Sequence, residues 1–241
     1  MKVLVTGKNG QLGYDVLKVL AARGIEGIGA DIQEFDITDA AATREYITKC
    51  APDAVIHCAA YTAVDKAEEQ ADLCRRINVE GTAHIADACK RLGAKLMYIS
   101  TDYVYPGEGD HPYNVGDATG PKSVYGITKL DGEHAAKAVE QLFIVRVSWV
   151  FGKNGHNFVR TMPKLGAERD SINVVADQNG SPTYTADLAP LPCDMIVGDK
   201  YGTYHGTNEG HCSWADFAEA IFRHPGPPCV DNPGPTSANI T

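Results

Sequence analysis

Short apolar runs alternate with stretches in which apolar residues recur every three or four positions. Such runs predict buried strands, and such stretches predict amphipathic helices. Residues 2–6 form the first run, after which Leu12, Val16, Leu17, Val19 and Leu20 keep helical spacing. Further strands are predicted at 25–30, 54–58, 95–99 and 143–148, with helices over 40–50, from 64, over 83–92 and from 125. A turn-rich loop at 106–122 precedes the last of these helices. This alternation predicts an α/β protein built on a Rossmann-type, doubly wound parallel sheet. After Gly152 the pattern loosens: a helix over 157–165, a strand over 172–175, loop chemistry at 178–184 and a helix start at 185–187. The expected division is a sheet domain over 1–150, a small C-terminal lobe over 151–223, and a Pro/Gly-rich tail over 224–241, disordered or truncated.

The first strand ends in Gly7-Lys8-Asn9-Gly10-Gln11-Leu12-Gly13, and a helix follows. In this setting glycines let backbone approach a pyrophosphate that rests on the helix N-terminus, so the motif predicts a dinucleotide site. Asp31 closes the second strand about 20 residues on, where a carboxylate accepts from ribose hydroxyls and favours NADH. Lys8 keeps NADPH open, because its ammonium can reach a 2′-phosphate from the same loop. The small residues ending the third strand, Ala59-Ala60-Tyr61-Thr62, admit a flat cofactor. Asp36 and Ile37 read either as a loop closing into a helix cap or as adenine contacts.

Thr101 follows the fourth strand, and Tyr125 and Lys129 lie one helical turn apart. A phenol beside a fixed ammonium is a proton donor, since the cation favours the phenolate. A hydroxyl nearby can hold the oxygen that receives the proton. His57, inside an apolar run, reads as a satisfied core residue before it reads as a catalyst. Asn78 reads equally as a helix cap or as an amide that positions the lysine.

Composition narrows the partners more than the fold. The chain has 241 residues, 44% apolar and 22% charged, as in an ordinary globular protein. Its net charge of −9 argues against non-specific binding to nucleic acid or to an anionic membrane. No apolar run approaches the ~18 residues of a membrane span, and the first strand begins at Lys2, leaving no room for a signal peptide. The seven cysteines, Cys50, Cys58, Cys74, Cys89, Cys193, Cys212 and Cys229, are scattered. They are expected to be reduced thiols of a cytoplasmic protein, without a disulfide framework or zinc site.

Taken in order, GKNGQLG, DITD, CAAYTAVDKAE, INVEGT, STDYV, YGITK with the following Gly-Glu, SWVFG, NFVRTM, QNGSPTYTADLA and GTYHGTNEG make the chain resemble the extended short-chain dehydrogenase/reductase superfamily. Within it, the closer resemblance is to the dTDP-4-dehydrorhamnose reductase family. The resemblance implies NAD(P)H-dependent reduction of the C4 ketone of a dTDP-sugar, dTDP-4-dehydro-L-rhamnose. It implies Thr101, Tyr125 and Lys129 as the catalytic set. For the cofactor it implies Gly7, Gly10, Gln11, Leu12, Gly13, Asp31, Asp36, Ile37, Ala60, Tyr61 and Thr62, with Tyr125 and Lys129. For the substrate it implies Val64, Thr101, Asp102, Tyr103, Tyr125, Trp149 and Asn157. It further implies that NADPH or NADH serves, and that two copies pair through helices flanking the sheet. Some family members bind Mg2+ at a dimer contact. Asp15 and Asp187 hold comparable places but read better as surface carboxylates on helices, so no metal is assigned. Tyr103 stands where related 4,6-dehydratases carry a second carboxylate for elimination, which favours reduction. The alternatives are a sugar-nucleotide 4-epimerase or dehydratase, and a non-catalytic NAD(P)-binding regulatory subunit of the methionine adenosyltransferase β type.

Two stretches depart from the family pattern. Pro190 and Pro192 fall where the family continues a helix, and a proline inside a helix costs about 3 kcal/mol or more. A start after Pro192, a bend or a weakened helix is expected there. The Pro/Gly tail replaces a longer substrate-lobe segment, so the expectation is a sound cofactor site and a weakened sugar-nucleotide site.

Overall fold

The structure, a computed structural model, describes residues 1–109 and 111–224 and the backbone of 239–240. The first part follows the expected alternation: β1 (Lys2–Thr6), α1 (Gln11–Ala22), β2 (Glu26–Ala30), α2 (Ala40–Cys50), β3 (Ala54–His57), α3 (Val64–Glu69), α4 (Ala71–Arg75), a π-helical turn (Arg76–Gly81), α5 (Thr82–Leu92), β4 (Lys95–Thr101), α6 (Val124–Ala136) and β5 (Leu142–Val147). Shorter pieces follow: β6 (Val150–Phe151), α7 (Phe158–Glu168), β7 (Ser171–Ile172), β8 (Asn179–Gly180), β9 (Thr183–Tyr184), α8 (Thr185–Leu188), α9 (Pro190–Val197), β10 (Gly202–His205), β11 (Cys212–Ser213), α10 (Trp214–Arg223) and β12 (Asn239–Ile240).

The main sheet is parallel throughout, in the order β10-β5-β4-β3-β1-β2. Sequence order reverses between β1 and β3, and in such sheets ligands bind in the crevice outside the carboxyl ends at that point. Side chains alternate between two apolar layers. Leu4, Val55, Leu96, Tyr98 and Ile144 pack with residues of α2, α5 and α6. Val3, Val5, Ile56, Met97 and Phe143 pack with residues of α1, α8 and α9. Burial on both faces demands near-continuous apolar strands, which is why these four strands stood out in the sequence.

The last strand did not stand out. Gly202-Thr203-Tyr204-His205 is polar, yet it pairs in parallel with β5 as the sheet's edge. The sheet therefore draws its sixth strand, and two of the helices covering one face, from residues after 150. The prolines are also accommodated differently from expectation. α9 begins at Pro190 and runs through Pro192. Both prolines lie in its first turn, where backbone N–H groups have no intrahelical partner to lose. The strand expected over 172–175 shrinks to Ser171–Ile172, because Val174 packs into the lobe's apolar cluster while Val175 is exposed. The tail expected to be disordered lies outside the described residues, apart from His224 and the 239–240 backbone. Among the described residues, no helix is long and apolar enough to cross a membrane.

Candidate active site

The glycine loop leaves β1 at Gly7, whose φ of +70° lies in the left-handed region. A Cβ there would stand 2.9 Å from the Ala59 backbone nitrogen, and one at Gly13 would stand 2.3 Å from the Gly7 carbonyl oxygen. The loops after β1 and β3 are thus pressed together at the switch point. α1 begins beside them with no side-chain cap on Gly10 and no acid in its first turn. Its first N–H groups and its dipole are free for an anion. This cradle fits a dinucleotide pyrophosphate. Asp31, at the end of β2, accepts from the backbone N–H of Asn9 at 3.1 Å and of Ile32 at 2.9 Å. Its carboxylate is fixed over the loop. Lys8 is drawn to Glu34, with Nζ 2.6 Å from Oε1, so its ammonium has a partner in the protein. Asp39 caps α2 by accepting from Ala41 and Ala42, which leaves Asp36 and Ile37 on the cleft wall.

The second wall combines the end of β4 with α6. Ser123 caps α6 by accepting from the Gly126 N–H at 3.1 Å, and this sets Tyr125 in the first turn with Lys129 one turn on. Both are buried. Thr101 Oγ1 donates to Asp102 Oδ1 at 2.9 Å, and Ser148 Oγ donates to Asp102 Oδ2 at 2.8 Å. Lys129 Nζ donates to the Ile99 carbonyl at 2.7 Å. Burial dominates the electrostatics. It pushes the Tyr125 phenol above its ordinary range, against a lowering hydrogen bond from Thr101. It pulls Lys129 down to about 7 and raises Asp102. Desolvation is the largest influence on the phenol and acts against the lowering expected from Lys129. The phenol keeps its proton at neutral pH, the state in which it can serve as an acid.

Asn78 takes neither expected role in its simple form. It sits in the π-helical turn, where Oδ1 accepts from the Tyr61 N–H at 2.8 Å and Nδ2 donates to the Tyr61 carbonyl at 3.2 Å and to Thr128 Oγ1 at 3.1 Å. It clamps the loop after β3 to the helix that carries Tyr125 and Lys129. π-turns of this kind are frequent at functional sites. His57 is the core residue expected: Nδ1 is hydrogen-bonded to Thr6 Oγ1 at 2.7 Å and Nε2 to Thr82 Oγ1 at 3.3 Å. Burial pulls it down to about 3.

The third wall belongs to the lobe and is aromatic. Trp149 adopts φ +44°, rare for a bulky residue. Its ring stacks on Trp214 with centroids 3.6 Å apart and planes 10° apart. Phe158 and Phe217 pack around the pair. A Cβ on Gly180 would meet the Trp149 indole at 2.3 Å, so glycine is what lets the ring lie there. Asn157 caps α7 by accepting from the Arg160 N–H at 3.0 Å and donates to Gln11 Oε1 at 3.0 Å. Asn154 donates to the Asn9 carbonyl at 2.7 Å. The lobe is thereby tied to the glycine loop.

These walls enclose one cleft of about 820 Å³. Thr101, Tyr125 and Lys129 line it together with Gly7, Gly10, Gln11, Leu12, Asp31, Asp36, Ile37, Ala60, Thr62, Val64, Asp102, Tyr103, Trp149 and Asn157. Gly13 and Tyr61 do not. Gly13 serves the packing of the loop, and the Tyr61 hydroxyl turns away to donate to Gln70 at 3.0 Å. Phe35, Arg76, His156 and Trp214 line the cleft without having been anticipated. Trp214 opens a short helix after a capping box, and nothing in its local pattern points into a cleft. Asp15 is not the surface carboxylate expected. It is buried and accepts from Thr185 Oγ1 at 2.6 Å. Asp187 is exposed and accepts from Asn208 Nδ2 at 3.3 Å. Among the described residues, no group of three or more His, Cys, Asp or Glu side chains could hold a metal ion.

Known proteins are similar to this chain in sequence and fold. The sequence model of the family described as RmlD substrate binding domain matches residues 1–236. A dTDP-4-dehydrorhamnose reductase of Streptomyces griseus is 43% identical over 227 residues, covering 91% of this chain and 75% of that protein. A crystal structure of a dTDP-4-dehydrorhamnose reductase from Clostridium acetobutylicum superposes with a TM-score of 0.92 at 45% identity, over 100% of this chain and 83% of that one. The same enzyme from Bacillus anthracis, solved in complex with NADP, superposes with a TM-score of 0.91 at 41% identity, over 100% of this chain and 84% of that one.

Proposed function

Because the chain belongs to the family described as RmlD substrate binding domain, we infer that it is an NAD(P)H-dependent oxidoreductase that reduces the C4 ketone of dTDP-4-dehydro-L-rhamnose to dTDP-L-rhamnose. One observation carries the reading: Thr101, Tyr125 and Lys129 share a single cleft with the glycine loop and Asp31.

Gly10, Gln11 and Leu12 hold the dinucleotide pyrophosphate on the N-terminus of α1, Asp31 takes its ribose, and Asp36 and Ile37 flank its adenine. When bound, the reduced nicotinamide supplies the hydride. Thr101 holds the ketone oxygen, and Tyr125 donates its phenolic proton to that oxygen as negative charge develops. Lys129 balances the phenolate left behind. A phenol raised by burial is weak toward water but still an acid toward an alkoxide. Tyr103, in place of a second carboxylate, leaves no base positioned for elimination. Val64, Trp149 and the aromatic stack exclude water and receive the sugar nucleotide. In this reading residues 1–150 with α8, α9 and β10 form the cofactor unit, and the rest of 151–223 forms the substrate lobe. A homodimer and a cytoplasmic setting complete it. The superfamily resemblance supports the first, and unpaired cysteines at 50, 58, 74, 89, 193 and 212 support the second.

The test follows absorbance at 340 nm with NADH or NADPH and dTDP-4-dehydro-L-rhamnose, and weighs the product by mass spectrometry. Coenzyme oxidation matched by a sugar nucleotide two mass units heavier supports the reading. Coenzyme binding without oxidation overturns it.

A further inference from the structure

We propose that Tyr98 is a positioning residue whose ring face favours the charged form of Lys129. The proposal rests on the reading of Lys129 given above. Lys129 is 2% exposed and Tyr98 1%, and Nζ lies 4.1 Å from the centroid of the Tyr98 ring. A cation over an aromatic face is held most strongly when both are desolvated.

The Glu133 carboxylate also favours the charged form, but without pairing with the ammonium. Among the described residues Lys129 has no ion-pair partner. Its one hydrogen bond is to the Ile99 carbonyl at 2.7 Å. Several titratable groups face it. Tyr125 and Glu133 do so from its own helix, His57 and Cys58 from the end of β3, Cys74 from α4, and Tyr98 from β4. Glu133 is committed to Arg146, which donates to its two oxygens at 2.8 and 2.7 Å, and to Ser100, which donates at 2.6 Å. Burial leaves His57 neutral, pulled down to about 3, and Cys58 neutral, pushed up to about 12. One ring and one carbonyl oxygen therefore meet the ammonium directly.

The ring is held in place by its surroundings. Its hydroxyl donates to the Lys129 carbonyl at 3.3 Å, and the ring lies tilted 5.8 Å from His57. A Cβ on Gly132 would come within 2.2 Å of that hydroxyl. The glycine one turn after the lysine's neighbours is thus the space the tyrosine occupies.

A graded ring series tests this. Tyr98 is replaced by phenylalanine, 4-fluorophenylalanine and 3,4,5-trifluorophenylalanine, which keep nearly one shape while the ring face loses negative charge. Lys129 is titrated directly by 15Nζ resonance in the free protein, and kcat is followed against pH with NADH and the ketone. Tyr98→Phe should keep both the titration and the alkaline limb of kcat near wild type. Fluorination should move both to lower pH in steps, by about one unit for the trifluoro ring, with KM unchanged. A titration and limb that stay put across the series would overturn the proposal. Wild-type turnover by Lys129→Met, with the series shifting the resonance as expected, would instead remove the catalytic reading of Lys129 and leave the ring's effect on its charge standing.

Discussion

The wall that carries Tyr125 and the wall that carries Trp149 face each other across one cleft and are built on different plans. On the first, Thr101 ends the long strand β4, Tyr125 and Lys129 sit on α6, and Asp102 and Asn78 sit on short turns beside them. The polar groups of Thr101, Asp102, Lys129 and Asn78 all have partners in the protein. On the second, two-residue strands and short helices bring in rings that hold one another by stacking, with Trp149 in a backbone conformation that costs energy. Proton transfer tolerates little misplacement, so its donor sits on a capped helix packed against the sheet. Recognition of a flat, wet nucleotide sugar tolerates more and gains from broad apolar area. Rigidity on one side and stacked area on the other should therefore separate in kinetics: damage to the first wall lowers kcat, and damage to the second raises KM.

The largest expected effect is on the first wall. Tyr125→Phe should lower kcat by roughly 10²–10⁴-fold while coenzyme affinity, read by fluorescence titration, stays at the wild-type value. Lys129→Met should also lose turnover, and it carries a signature in stability. Burial sets the folded-state value of Lys129 at about 7, below its ordinary 10.5. The folded protein then binds fewer protons than the unfolded chain between those values, and the penalty for burying the charge is full below pH 7 and fades as pH rises toward 10.5. The variant should outlast wild type in denaturant at pH 6, by up to ~5 kcal/mol, with the gap closing by pH 10. Equal midpoints at pH 6 would remove the desolvated lysine from the picture.

On the second wall, Trp214→Ala should raise KM for the ketone about 10- to 100-fold, the size of a lost aromatic anchor, with kcat changed less. A fall confined to kcat would break the division of labour. Gly180→Ala forces the Trp149 indole to move and should cost about 1–3 kcal/mol of stability, read by denaturant midpoint, together with a smaller rise in KM. The smallest effect expected is at Asp31. Its removal should weaken NADH relative to NADPH by about tenfold or less, since one carboxylate–hydroxyl contact is at stake.

Most of the glycine loop and of the wall that carries Tyr125 was readable in the sequence because their signals are local. Gly7 to Gly13 follows a strand and opens a helix, and Tyr125 and Lys129 share one helical face. Strands buried on both sides announce themselves by continuous apolar runs. The unread parts depend on contacts distant in sequence. β10 is a polar edge strand recognisable only by its pairing with β5. Trp214 enters the cleft because Trp149 stacks on it. Asp15 is buried because Thr185, 170 residues away, donates to it. The raised Tyr125 phenol was missed for a similar reason, since neighbouring charges show in a helical pattern and the depth of burial does not.

In the proposed reaction Tyr125 gives the proton, Lys129 balances the phenolate, and the rest of the cleft holds and shields the reactants. The most direct measurement is a single turnover at 340 nm: enzyme preloaded with NADH is mixed with excess dTDP-4-dehydro-L-rhamnose, for wild type and Tyr125→Phe, with substrate binding read in the same mixing experiment by tryptophan fluorescence. Unchanged binding together with coenzyme oxidation slowed by about 100-fold or more in the variant is the predicted result. Oxidation at the wild-type rate by Tyr125→Phe would contradict it.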